Sequence, residues 1–113
     1  MTQAFDAQLC AWRHALHRKP ELGFQEQGTA AFVTAQLEAL GLTVHRGIGG
    51  TGLVASLTCG EGAGVIGLRA DMDALAMTET GTPAHASEHP GCMHGCGHDG
   101  HMAMVLGAAA LLT

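Results

Sequence analysis

Val65-Ile66-Gly67-Leu68-Arg69-Ala70-Asp71-Met72-Asp73 joins an apolar run to a pair of acidic residues. Its first four residues are continuously apolar, the pattern of a strand covered on both faces, so a central strand is expected over Val65 to Ala70. Asp71 and Asp73 follow it directly. In α/β sheets ligands bind beyond the carboxyl ends of the strands, and two Asp separated by one residue can point to the same side. A surface turn rich in Asp is the competing reading.

Working outward, Phe5, Leu9, Trp12 and Leu16 recur at steps of four, three and four, which predicts a helix from about residue 4 to 18. Pro20 disfavours helix at Lys19 and ends it. A second helix is expected from Glu26 to Leu40, with Ala30, Val33, Leu37 and Leu40 inward and Gly41 as its C-terminal cap. Two further strands read as Leu42 to Arg46 and Leu53 to Thr58. Between them, Gly47-Ile48-Gly49-Gly50-Thr51-Gly52 fits the G-x-G-x-x-G pattern. A dinucleotide site would need a helix to follow, whereas the next residues are strand-like, so a hairpin turn is the better reading. Thr78 to Gly91 reads as a loop, and a helix starts near Asp99. The sum is an α/β fold with helices packed on a central sheet and no internal repeat.

Composition narrows the function. With 113 residues the chain has the length of one ordinary domain, and 47% apolar against 13% charged residues exclude a disordered tail. A net charge of −5 argues against nucleic acid as a partner. Five of the eight His and two of the four Cys fall between His85 and His101, and after Arg69 there are five carboxylates and no Lys or Arg. Such a segment suits a divalent metal better than an anion.

The sharpest signal is Cys92-Met93-His94-Gly95-Cys96-Gly97-His98-Asp99-Gly100-His101. In an extended segment Cys96 and His98 would face the same way, and thiolate with neutral imidazole is a good zinc pair. Asp99 could cap the helix that begins there or stand behind a ligand. Two kinds of site remain open. Cys92, Cys96, His98 and His101 could close around one structural zinc in a self-contained module. Alternatively, Cys96 and His98 belong to an open catalytic site completed by Asp71 or Asp73, or by chain beyond Thr113. Among the other His, His14 and His17 read as helix-surface groups near a helix end and His45 as solvated. His85 and His89 lie in a polar loop, and His94 and His101 are open between supporting a ligand and touching a substrate.

The N-terminus lacks a basic start followed by an apolar core, and His101 to Thr113 is too short to span a membrane, so a cytoplasmic protein with free or metal-bound Cys is expected. Val105 to Leu112 reads as a buried helix without a terminating signal, which predicts that the chain is the N-terminal part of a longer protein.

Four ordered motifs carry a family resemblance: Arg13-His14-Ala15-Leu16-His17-Arg18-Lys19-Pro20-Glu21-Leu22-Gly23-Phe24, Gly49-Gly50-Thr51-Gly52, Gly67 to Leu75, and Met93 to His101. In this order the chain resembles the M20 metallopeptidase family, in particular the amidohydrolase branch of hippurate hydrolases, N-acyl-amino-acid amidohydrolases and auxin-conjugate hydrolases. The resemblance implies a zinc-peptidase-like α/β catalytic domain with two divalent metals (Zn, Mn, Co or Ni), followed by an inserted domain that commonly mediates dimerisation. Residues 1–113 would be the N-terminal part of that catalytic domain. Cys96 and His98 are implied as metal ligands, with Cys96 bridging, and Asp73 as the carboxylate that orients the site. A further Glu, two His and the general-base Glu would lie beyond residue 113. Ala76 stands where Pro is usual and Gly95 where Ala is common; Cys92 stands where an apolar residue is usual, which argues against a ligand role. The implied activity is hydrolysis of the amide bond of small N-acyl amino acids by the full-length protein, with the 113-residue chain alone inactive.

Overall fold

A computed structural model describes residues 2–113. The order of elements is α1 (Gln3–Arg18), α2 (Gln27–Ala39), β1 (Thr43–Ile48), β2 (Gly52–Ser56) and α3 (His98–Leu112). Thr2 caps α1, its hydroxyl accepting the Phe5 N–H at 3.2 Å. Lys19 leaves the helical region immediately before the fully buried Pro20. At the other end of α2, Gly41 takes φ 87°, the Leu42 N–H reaches the Leu37 carbonyl at 3.1 Å and the Gly41 N–H reaches Glu38 at 2.9 Å. These two bonds satisfy carbonyls that the helix end leaves free, and they turn Leu42 back against Leu37 in the core.

Trp12, Leu16, Val33, Leu37, Leu42, Met102, Ala103 and Leu106 form the core, drawn from α1, α2 and α3 and the turn after α2. Burial of a side chain such as Leu106, 1% exposed, contributes about 1.5–3 kcal/mol. The helices α1 and α3 approach closely because position 107 is Gly: an added Cβ there would stand 2.5 Å from Leu9 Cδ2. The Trp12 indole N–H donates to Gln36 Oε1 at 3.0 Å, which joins α1 to α2. The strands β1 and β2 pair antiparallel, Val44 opposite Ala55 and Arg46 opposite Leu53, with an irregularity between Arg46 and Ile48. Gly47, Gly49 and Gly50 all have positive φ. The glycine-rich motif is therefore a hairpin connection, with a strand and not a helix behind it.

The expected central strand over Val65 to Ala70 is not formed. Val65 and Ile66 are 95% and 87% exposed, and the sheet among the described residues contains only β1 and β2. A strand exists only where neighbours take its backbone N–H and C=O groups, and among the described residues no strand is paired with this segment. Its end, Leu68 to Met72, instead flanks a cleft of about 390 Å³ shared with Val33, Leu37 and Leu106. The α/β fold holds, as three helices with a two-stranded sheet, while the third of the expected strands is absent.

Gly41→Ala is expected to destabilise the fold by about 1–2 kcal/mol, the cost of a left-handed residue with a Cβ. Gly62→Ala, at an open position with ordinary φ, is the matched control and should leave the thermal midpoint unchanged. Equal midpoints for the two variants would remove the role given to the Gly41 turn.

Candidate metal centre

Two segments rich in metal-ligand side chains are brought together by one small pairing. Leu75 and Met93 exchange both backbone hydrogen bonds, at 2.9 and 3.0 Å, and close the long loop between them. Asp71 and Asp73 lie just before this bridge, Cys96 and His98 just after it. The Ala74 N–H also donates to the Glu21 carbonyl at 2.8 Å, and Ala74 is buried, so the Asp73 backbone is fixed against the turn after α1.

Across the gap His98 Nδ1 stands 2.8 Å from the Asp73 carbonyl oxygen and 3.0 Å from Asp73 Oδ1. Both partners are acceptors, so Nδ1 carries the proton and donates. In the neutral ring Nε2 then keeps its lone pair, and it faces Asp71 Oδ2 at 3.9 Å. A lone pair facing a carboxylate is the donor pair a divalent cation takes. The chemistry of the set fits such an ion, although two ligands of a tetrahedral zinc would lie about 3.3 Å apart, so the Asp71 side chain would have to move inward to share it. Asp71 Oδ1 is meanwhile paired with Arg69 Nη2 at 2.6 Å on the surface. Among the described residues, Asp71, Asp73 and His98 are the group of three whose donor atoms all lie within 4.8 Å of one another.

Cys96 falls outside that group and is exposed. The extended geometry expected between Cys96 and His98 is absent because Gly97 takes φ 84°, ψ 10° as the residue preceding α3, and this left-handed turn breaks the alternation of a strand. Nor are Cys92, Cys96, His98 and His101 gathered as the closed zinc module requires. Burial, with the Glu21 charge, pushes the Cys92 thiol up, away from the thiolate form a metal needs. His101 is exposed one turn into α3, its ring 5.7 Å from that of His98. His94 is buried, and neither ring nitrogen has a partner among the described residues; burial holds its pKa below the ordinary imidazole value.

The largest departure from the sequence reading is His17. Expected on the surface, it is 3% exposed and lies between two carboxylates. Its Nδ1 is 2.8 Å from Asp99 Oδ2, and its Nε2 is 3.1 and 3.2 Å from the two oxygens of Glu79. Arg13 Nε donates to the same Asp99 oxygen at 3.1 Å, and the Ser87 N–H donates to Glu79 at 2.8 Å. Asp99 thus serves α1 and is not the cap of α3, which is Gly97. Burial pushes the Asp99 carboxyl up, but hydrogen bonds from His17 and the Gly100 N–H and the Arg13 charge together hold it below its ordinary value. The Ser87 N–H, helped by His17 and His85, holds Glu79 low against its burial. A signal for this cluster was present in the sequence. Carboxylates buried after Arg69 have no later cation to meet, and Arg13 and His17, four apart, share one helix face. The loop is held to α1 by His85 as well, stacked on His14 with ring centroids 3.9 Å apart.

Residues 67–113 match the family described as Peptidase family M20/M25/M40. The N-acyl-L-amino acid amidohydrolase of Geobacillus stearothermophilus is 46% identical over 103 residues, covering 91% of this chain and 28% of that protein. The hippurate hydrolase of Campylobacter jejuni is 46% identical over 101 residues, covering 89% and 26%. The crystal structure of a Bacillus subtilis protein described as a dinuclear metal binding peptidase from the M20 family superposes with a TM-score of 0.93 at 38% identity, covering 99% of this chain and 32% of that one. The chain spans about a quarter to a third of the length of these relatives.

Asp99 and Glu79 both titrate lower in the folded than in the unfolded chain. The stability they contribute is complete above about pH 4–5 and is lost as pH falls through their folded values. Asp99→Asn should therefore be less stable than wild type at neutral pH, with the difference shrinking toward acid. A constant difference across the acid titration of unfolding would contradict the assignment.

Proposed function

The chain belongs to the M20 peptidase family, and from that premise we propose that the full-length protein is a metal-dependent amidohydrolase. It cleaves the amide bond of N-acyl amino acids of the hippurate type, releasing a carboxylic acid and a free amino acid. The observation that carries this reading is the orientation of His98: Asp73 holds Nδ1 from two directions and leaves Nε2 free toward Asp71. His98 and Cys96 are the ligands supplied by this chain, and Asp73 is the orienting carboxylate. Asp71 is available to the same ion once its side chain turns from Arg69. Two divalent ions, when bound, would make water nucleophilic near neutral pH and polarise the scissile carbonyl. The role of this chain is to present a neutral imidazole in one tautomer and one orientation, an arrangement that raises ligand basicity and fixes geometry. Chain beyond residue 113 supplies the remaining ligands and the base, and the 113-residue chain alone is inactive. The similarity to the amidohydrolase of Geobacillus stearothermophilus and the hippurate hydrolase of Campylobacter jejuni supports the substrate class. Among the described residues no helix is long and apolar enough to cross a membrane.

Full-length protein stripped with chelator and reloaded with Zn²⁺ or Mn²⁺ should release glycine from hippurate. His98→Ala and Cys96→Ser are each expected to lose at least about 100-fold in kcat/KM. Undiminished activity in the stripped protein, or in His98→Ala, would overturn the reading.

A further inference from the structure

The cluster around His17 lies beside the metal centre without belonging to it, and its contacts define a task. Asp99 immediately follows His98 in the first turn of α3, so whatever fixes its carboxylate fixes the backbone that presents His98. Glu79 lies four residues beyond the Leu75 bridge, on the loop whose base carries Asp73 on one side and Cys96 on the other. His17 touches both carboxylates, one with each ring nitrogen. Each contact is complete only with a proton on the nitrogen, since ionised carboxylates only accept. The imidazole and both carboxyl groups are nearly inaccessible, with side chains 4%, 2% and 9% exposed. A flexible surface pair would leave position undetermined, whereas a buried ring with both nitrogens engaged has one orientation.

We infer that His17 is a positioning residue of the metal centre: through Asp99 and Glu79 it fixes the distance between the segment of Asp71 and Asp73 and the segment of Cys96 and His98. The two segments also meet at the Leu75–Met93 bridge and where His98 faces Asp73 and Asp71, whose side chains are 41% and 46% exposed, and the loop reaches α1 and the turn after it through the His14–His85 stack, the Glu88 N–H on the Arg18 carbonyl and His89 on the Pro20 carbonyl. Arg13 alone cannot replace the link, because it reaches Asp99 but has no contact with Glu79. With His17 removed the loop and α3 lose the one side chain that touches both, and the setting of His98 loosens while its own side chain is intact.

The inference rests on the metal-centre reading and is tested on the full-length protein with Zn²⁺ as the probe, by competition against a chromophoric chelator. His17→Ala and Asp99→Asn should each weaken Zn²⁺ binding by about 10- to 100-fold, the range seen when outer partners of metal ligands are removed. Gly41→Ala, which perturbs the fold away from the site, should lower the thermal midpoint and leave Zn²⁺ affinity unaltered. Affinities for His17→Ala and Asp99→Asn within about twofold of wild type would overturn the positioning role even if both variants were less stable. Should His17→Ala fail to fold, Asp99→Asn, which keeps the size of the side chain, decides alone. A wild-type protein that takes up no Zn²⁺ would refute the metal centre itself, a different result from wild-type binding retained in the variants.

Discussion

The buried meeting of His17 with Asp99 and Glu79 is the contact on which the arrangement of this molecule depends. Apolar packing of α1, α2 and α3 covers one side of the structure, but the loop from residue 76 to 92 adds no side chain to that core, and His98 to His101 at the start of α3 stand outside it. Those parts are held by polar groups taken out of water, which is costly unless every charge is met. Here each is met: Arg13 and His17 on Asp99, His17 and the Ser87 N–H on Glu79. Loss of one partner would strand a buried charge, so such a cluster tolerates few alternative arrangements.

Short covalent paths connect that cluster to the proposed metal site. Asp99 adjoins His98, and Glu79 stands on the loop whose ends lead to Asp73 and Cys96. The Leu75–Met93 bridge and the bond from the Ala74 N–H to the Glu21 carbonyl complete the frame. Within that frame the Asp73 carbonyl and carboxylate select the tautomer of His98, and the free Nε2 is the consequence. The chemistry of the site thus begins in the packing of α1, some eighty residues earlier in the chain.

Local signals made part of this legible in the sequence. The apolar steps of α1 and α2, Pro20 and Gly41 act within a turn or two of themselves, and each end formed close to where they put it. The hairpin followed from glycines that supply positive φ. Features set by distant partners were read wrongly. Val65 to Ala70 has strand composition, but strand is a property conferred by neighbours, and the hairpin pairs only with itself. His17 looked like a surface residue because helical periodicity identifies faces without saying what they meet. Cys96 and His98 were expected side by side because an extended backbone was assumed, and Gly97 in the left-handed region removes that assumption. Asp71 and Asp73 do lie near His98, because sequence spacing constrains a pair one residue apart even where the strand before it is absent.

In the proposed site His98 binds a divalent ion through Nε2 while Asp73 holds Nδ1. Diffraction at the zinc absorption edge from crystals of the Zn²⁺-loaded full-length protein tests it most directly. An anomalous peak is expected about 2.0–2.1 Å from His98 Nε2 and, once Cys96 swings in, about 2.3 Å from its sulfur, with the Asp73 contacts to Nδ1 unchanged. A peak ligated by Cys92 and His101, or a zinc bound at His98 Nδ1 with Asp73 displaced, would contradict it.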